Sequence, residues 1–244
     1  MCVLLIAWKL SEAMPLVVAA NRDEARQRAS LPPSVQRLGE RRVLLPRDQV
    51  AGGTWLGVND AGVAVAITNR ADGSFDSQRA SRGQLPLAAL AMRSATEVLS
   101  MLKVRTAETL FNSFNLFCAD REHAWVARWD GSLQVTKLSP GAFVLTNSHN
   151  LDELQVPEFH ALPWRAADAP KLRDAMQALL GDHAGRDATG YPLCKHGARY
   201  GTVSSSVFFP TGKSTWEMAF SSGNPCTTPF LKYYLDGEAT TLGG

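Results

Sequence analysis

The chain opens on an unbroken apolar run at 3–8, breaks at Lys9-Leu10-Ser11-Glu12, and resumes at 16–20 before ending in Asn21-Arg22-Asp23-Glu24. Runs this short, with β-branched residues among them, predict two adjacent buried strands joined by a short loop. Charges, Pro32-Pro33 and Pro46 then mark 25–50 as an irregular excursion. A hairpin follows: Gly52-Gly53 opens it, 54–58 is one strand and 63–69 the other. Its turn, Asn59-Asp60-Ala61-Gly62, suits a type I turn ending on a left-handed glycine. From 85 to 102 the apolar positions fall near helical spacing, with Pro86 in the first turn, and predict one helix. Strands at 114–119, 124–129, 133–138 and 142–146, separated by polar turns, read as a meander. A second helix spans about 171–180 and stops at Gly181, two strands follow at 203–209 and 215–220, and 239–244 is expected to fray. About ten strands against two substantial helices, without one-for-one alternation, predict a single α+β domain over 1–244 with two stacked sheets, not a parallel Rossmann sheet.

Composition narrows the function classes. Over 244 residues, 45% hydrophobic and 20% charged excludes a largely disordered chain, and the length needs no disulfide or metal staple. A net charge of +2 offers no broad footprint for nucleic acid or anionic lipid. The arginine-rich stretch 37–47 is interrupted by Glu40 and apolar residues, and reads as a solvated loop. No run approaches the ~18–20 apolar residues of a membrane span. The opening run lacks the basic flank and length of a signal peptide. Cysteines at 2, 118, 194 and 226 have no tight spacing, so the expectation is a cytoplasmic protein in a reducing compartment.

The residue with most chemical content is Cys2. Methionine before a small second residue is usually trimmed, and the freed cysteine would combine a thiol nucleophile with an α-amine of pKa ~8, able to act as its base. A buried cysteine at the head of a strand is the plainer alternative. On the second strand, alternation sets Asn21 and Asp23 on one face and Arg22 on the other. Asp23 could hold an N-terminal ammonium; equally, the cluster suits a solvated turn. Two strands end in the same dipeptide, Thr68-Asn69 and Thr146-Asn147, where an asparagine can donate to an oxyanion or form an Asx turn. Arg199, at the entrance to a strand, could bind a carboxylate, steer a thiolate or sit on the surface. His123, His149, His160, His183 and His196 are isolated, and Cys194-Lys195-His196 could contribute to a metal site, although no fourfold ligand set is visible, so no metal is expected.

Together, Cys2, Asn21-Arg22-Asp23-Glu24, Gly52-Gly53-Thr54-Trp55-Leu56-Gly57, Thr68-Asn69-Arg70, Leu145-Thr146-Asn147-Ser148-His149 and Arg199-Tyr200-Gly201-Thr202 carry a resemblance. From Cys2 to about Phe220 the chain resembles the NRDE family, also called the transport and Golgi organisation protein family. That family resembles the Ntn hydrolases of the choloylglycine hydrolase and penicillin V acylase group. The resemblance implies a four-layer αββα sandwich of two mainly antiparallel sheets and cysteine-dependent cleavage of an amide or related acyl bond without a cofactor. It also implies roles for Cys2 as nucleophile, Asp23 near the amine, Asn69 and Asn147 at the oxyanion and Arg199 as a late active-site arginine, with Asn21 and Arg22 as substrate-binding candidates. The acylases carry an arginine three residues before the aspartate, where this chain has Ala20. A second implication is non-enzymatic: a haem-binding or haem-trafficking carrier on the same scaffold.

Overall fold

In the computed structural model, which describes residues 2–71, 73 and 75–236, the first two apolar runs become β1 (Cys2–Trp8) and β2 (Leu16–Ala25). They pair antiparallel, with Cys2 opposite Arg22 and Trp8 opposite Leu16. β1 is flanked on its other side by β10 (Gly141–Thr146), and β2 by β11 (Tyr200–Pro210). With β12 (Trp216–Ser221) and β13 (Leu231–Leu235), they form a sheet of order β10-β1-β2-β11-β12-β13. The second sheet follows chain order: β3 (Ser30–Leu38), β4 (Arg41–Asp48), β5 (Leu56–Asn59), β6 (Ala64–Asn69), β7 (Phe114–Ala119), β8 (Ala124–Trp129) and β9 (Leu133–Lys137).

Three apolar cores explain the layering. Even-numbered residues of β1 and β2 (Leu4, Ile6, Leu16, Val18) meet Leu56, Val58, Ala66 and Phe117 of the other sheet. Their odd-numbered neighbours (Val3, Leu5, Val17, Ala19) meet α3 (Pro157–His160) and α4 (Ala169–Leu180) through Phe159, Leu172 and Met176. On the far side of the second sheet, Val43, Val65 and Leu116 pack under α1 (Gln84–Leu90) and α2 (Ala95–Glu108). Helix, sheet, sheet and helix stack in that order, the αββα arrangement expected. Strands buried on both faces read as continuous apolar runs, which is why β1 and β2 show no alternation of polarity.

Three expectations are corrected. The stretch 25–50 is a β-hairpin, not an irregular excursion. Gly39, at φ +59°, turns β3 into β4, and Pro32-Pro33 sit on an edge strand at a register shift between Leu31 and Ser34, where a missing N–H costs little. The helix expected over 85–102 is two helices. Ser94 adopts extended dihedrals and its side chain accepts from the Glu97 N–H, so it starts α2 afresh. β13 had no expected counterpart. The segment 239–244 lies outside the described residues. Gly62, at φ +91°, supplies the left-handed turn residue between β5 and β6.

Candidate active site

The site forms at one end of the sandwich, where β1 begins, β2, β6 and β10 end and β11 begins. Cys2 continues the file Leu4-Ile6-Trp8 and so looks into the gap between the sheets. The gap opens there into a cleft of about 330 Å³ whose lining includes Cys2, Arg22, Asp23, Trp55, Asn69 and Arg82. Segment 81–83 reaches the cleft because Gly53 lets the backbone of Gly83 approach: a β-carbon on Gly53 would stand 2.7 Å from the Gly83 carbonyl carbon. Thr54 N–H seals that contact to the Gly83 carbonyl at 3.1 Å.

Arg22 shares the thiol's face and is its register partner. Although only 6% exposed, its guanidinium lies 4.4 Å over the Trp55 ring and 3.5 Å from Asp48. Asp48 is held in turn by both ends of the Arg28 fork, at 3.0 and 2.7 Å. The Nη1 of Arg22 is buried with no hydrogen-bond partner among the described residues, which leaves one donor unspent. Burial, and after it the negative charge of Asp23, push the Cys2 thiol above its ordinary pKa, and the Asp23 backbone N–H and the Arg22 charge pull it back.

Asp23 points to the opposite face of β2. It is 3% exposed; Thr202 Oγ1 donates to Oδ1 at 2.7 Å and Lys195 Nζ stands 3.1 Å from Oδ2. Tyr200 OH donates to its backbone carbonyl at 2.6 Å. Burial raises the Asp23 pKa, and the Lys195 charge and the Thr202 hydroxyl oppose that rise. Asp23 follows Arg22, the register partner of Cys2, along β2, and it lines the same cleft as the thiol.

Of the two strand-end asparagines, Asn69 is exposed and lines the cleft. Asn147 is buried; Val3 pairs with Thr146, so Asn147 stands next in register beside Cys2, and its carbonyl accepts from Ala71 N–H at 2.8 Å. Asn115 links the two Thr-Asn ends, donating to Thr68 Oγ1 at 3.2 Å and to the Thr146 carbonyl at 3.1 Å, and so ties β6 of one sheet to β10 of the other. Two residues lie elsewhere. Asn21 faces α4, not the cleft; its amide donates to the Leu180 and Leu193 carbonyls and its oxygen accepts from Ser205, so its bonding capacity is spent on structure. Arg199 is exposed and outside the cleft lining, with its carbonyl taken by Arg26 N–H. The late-chain cation beside the buried acid is Lys195.

Sequence reasoning missed Lys195, Thr202, Arg82 and Asn115, each of which reaches the site only through tertiary pairing. It also saw no partners for Cys194-Lys195-His196. In the structure His183, Cys194, His196 and Cys226 form one cluster on the outer side of the Lys195 loop. A larger cavity of about 550 Å³ lies at the other end of the sandwich, lined among others by Trp8, Met14, Asp120, Lys213 and Trp216, and no cysteine or histidine is among its described lining residues.

Residues 1–189 match the family model Transport and Golgi organisation 2, and the chain belongs to that family. It is 33% identical over 146 residues to the Transport and Golgi organization protein 2 homolog of Bos taurus, and 32% identical over 149 residues to that of Homo sapiens. Each alignment covers 56% of this chain and 51% of the relative, so the matched region spans about half the length of these relatives. Among solved structures, the Caenorhabditis elegans N-acylethanolamine-hydrolyzing acid amidase ortholog superposes with a TM-score of 0.61 at 15% identity, over 86% of this chain and 94% of that one. A single-substitution variant of conjugated bile acid hydrolase from Clostridium perfringens superposes with a TM-score of 0.51 at 14% identity, over 97% of each. At such identities the likeness establishes the fold, that of the Ntn hydrolases. No helix among the described residues is long and apolar enough to cross a membrane.

Proposed function

We propose that this member of the Transport and Golgi organisation 2 family hydrolyses an amide or related acyl bond through Cys2, once removal of Met1 has freed its α-amine. The observation that carries the reading is the position of Cys2. Its side chain lines a cleft beside the cation of Arg22, its register partner, and the buried Asp23, the next residue along β2, lines the same cleft. Two structural neighbours are by name hydrolases, one of them an amidase, which adds support.

The chemistry follows from these groups. Burial disfavours the thiolate, so the thiol needs a base at hand, and the free α-amine of the same residue is one. The amine takes the thiol proton and the thiolate adds to the substrate carbonyl. Asn69 and the unspent Nη1 of Arg22, both residues of the cleft lining, are donors available to the oxyanion, and Asn147, buried beyond the end of β10 and outside that lining, is the third candidate. Collapse breaks the C–N or equivalent bond, the ammonium returns its proton to the leaving group, and a thioester remains on Cys2. Water, deprotonated by the amine, then releases the acid and restores the thiol. Asp23, held by Lys195 and Thr202, orients the ammonium between these steps.

The test is intact-mass analysis of the purified chain before and after a thiol-directed acylating probe, followed by assay on N-acyl amides. Expected are a mass short of one methionine, a single adduct on Cys2, and loss of adduct and turnover in Cys2→Ala. Retained Met1, or turnover that survives Cys2→Ala, overturns the proposal. A tight stoichiometric Soret shift on adding haem, with no acyl product from any amide, would replace it with the carrier reading.

A further inference from the structure

Four potential metal ligands, two thiols and two imidazoles, from three separate segments converge on the outer face of the Lys195 loop. His183 follows the end of α4, Cys194 and His196 flank Lys195, and Cys226 lies between β12 and β13. Their ligand atoms all fall within 4.8 Å of one another. The separations are 3.7 Å for Cys194 Sγ to Cys226 Sγ, 3.6 Å for Cys194 Sγ to His196 Nε2, and 3.1 Å for His196 Nε2 to Cys226 Sγ.

A tetrahedral Zn²⁺ with Zn–S of ~2.3 Å and Zn–N of ~2.0–2.1 Å sets its ligand atoms about 3.8 Å apart for S–S and about 3.6 Å for S–N. Two of the three separations match within about 0.1 Å, and the third needs an adjustment of about half an ångström. A disulfide would need the two sulfurs at ~2.05 Å.

We propose that His183, Cys194, His196 and Cys226 form a Cys₂His₂ site for one Zn²⁺ ion, which pins the loop that carries Lys195 to Asp23. Two thiols and two neutral imidazoles suit zinc, and binding releases two protons as the sulfurs become thiolates, leaving an uncharged centre.

The outer contacts fit the assignment. His183 Nδ1 lies 3.3 Å from the Cys194 carbonyl, and with the proton on Nδ1 the opposite Nε2 is free to ligate. Asn224 Nδ2 lies 3.8 Å from Cys194 Sγ and donates to the Lys195 carbonyl at 3.0 Å. Lys195 N–H donates to Thr202 Oγ1, the hydroxyl that also binds Asp23. The loop between two ligands is therefore the loop that supplies the acid's cation. Because His183, His196 and Cys226 are exposed, the site can be loaded and stripped in the folded protein. The inference concerns metal binding and stands whether or not Cys2 is a catalyst.

The experiment uses the untagged full-length chain in a Cys2→Ala background, which removes the other accessible thiol. Elemental analysis after growth with zinc should give about one zinc per chain. Substituted Co²⁺ should show the thiolate-to-metal band and the intense visible absorption of a tetrahedral centre. Cys226→Ser and His183→Ala, both at exposed positions, should each weaken Zn²⁺ binding by more than the ~10–100-fold that loss of an outer-shell partner costs. Chelation should speed hydrogen exchange in 194–202 in the parent and not in Cys226→Ser. Sub-stoichiometric zinc with no binding of added Zn²⁺ at micromolar concentration overturns the proposal. So does an unchanged Co²⁺ spectrum in Cys226→Ser, or an intact mass showing a Cys194–Cys226 disulfide in the protein as isolated.

Discussion

Replacing Asn21 with alanine separates two roles that its place in the family motif leaves open. The side chain is 1% exposed and spends both amide protons on carbonyls, those of Leu180 and Leu193 at 2.8 Å, while its oxygen accepts from Ser205 Oγ at 2.5 Å. Leu180 is the last residue of α4, so one of those bonds caps a carbonyl that the helix cannot satisfy itself. Alanine removes three hydrogen bonds worth about 1 kcal/mol each and leaves buried groups dry at about 1–3 kcal/mol apiece if water does not enter, so the loss should be roughly 3–5 kcal/mol. For a chain of this size that lowers Tm by roughly 6–20 °C. Asn21→Asp should be no milder, since it deletes both donors and buries a charge. Urea unfolding measures the loss, and labelling of Cys2 by the acylating probe, well below the new Tm, measures the cleft. A loss under about 1 kcal/mol, or a Cys2 labelling rate that falls while stability holds, would refute the reasoning and return Asn21 to the cleft.

Arg22→Met should raise the pKa of the Cys2 thiol, because a cation favouring the thiolate is removed while burial stays. Alkylation at about pH 7.5 should slow about 3–10-fold and its pH profile move upward, with Arg22→Lys between; an unmoved profile would show that the guanidinium does not act on the sulfur. Lys195→Met should destabilise the fold in a pH-dependent way. Burial already raises the Asp23 pKa in the folded state, and loss of the cation raises it further, so the penalty for ionised Asp23 is absent below its unfolded pKa and grows as pH rises through the folded one. The Tm gap between parent and variant should widen from about pH 4 to about pH 7.5; a constant gap would sink the idea. Asn115→Leu should cost about 2–4 kcal/mol in urea unfolding, by unpairing the Thr146 carbonyl and Thr68 hydroxyl. A change within about 0.5 kcal/mol would show that the two sheets are not tied there.

What could be read from the chain follows how local each signal is. β1, β2 and the β5–β6 hairpin were legible because apolar runs and the Asn59-to-Gly62 turn act within a few residues. The β3–β4 hairpin was misread because Pro32-Pro33 argues against a strand unless that strand is an edge with a register shift, and edges are decided by the whole sheet. The break at Ser94 was present in the sequence, since Ser94-Ala95-Thr96-Glu97 has the spacing of a capping box, but apolar periodicity runs straight across it. Cys2 and Asp23 could be named from position and motif. Lys195 could not, since its contact with Asp23 joins residues 172 apart. The same holds for His183 and Cys226, which meet only after β11 and β12 have paired.

The strand β2 shows why neighbouring letters of one motif need not share a task. Alternation sends Arg22 to the inter-sheet face with Cys2, and sends Asn21 and Asp23 to the helix-covered face with Ser205 and Thr202. A thiol that must meet a substrate belongs on the first face. In the proposed mechanism the amine of Cys2 is a main-chain group lying in the plane of the sheet, so Asp23 can serve it from the second face, backed by Lys195, while still lining the cleft. A one-residue slip of β2 against β1 would exchange these assignments, placing an acid against the sulfur and a cation against the amine. Flanking pairs prevent it: β10 and β2 hold β1 on both sides, and β11 holds β2 through its shift between Thr202 and Ser204. Deleting one residue at the β1–β2 loop should therefore be tolerated far better than deleting one within 16–20. Thermal unfolding and Cys2 labelling of the two deletions compare them directly, and equal damage from both would show that register is not what separates the thiol from its acid.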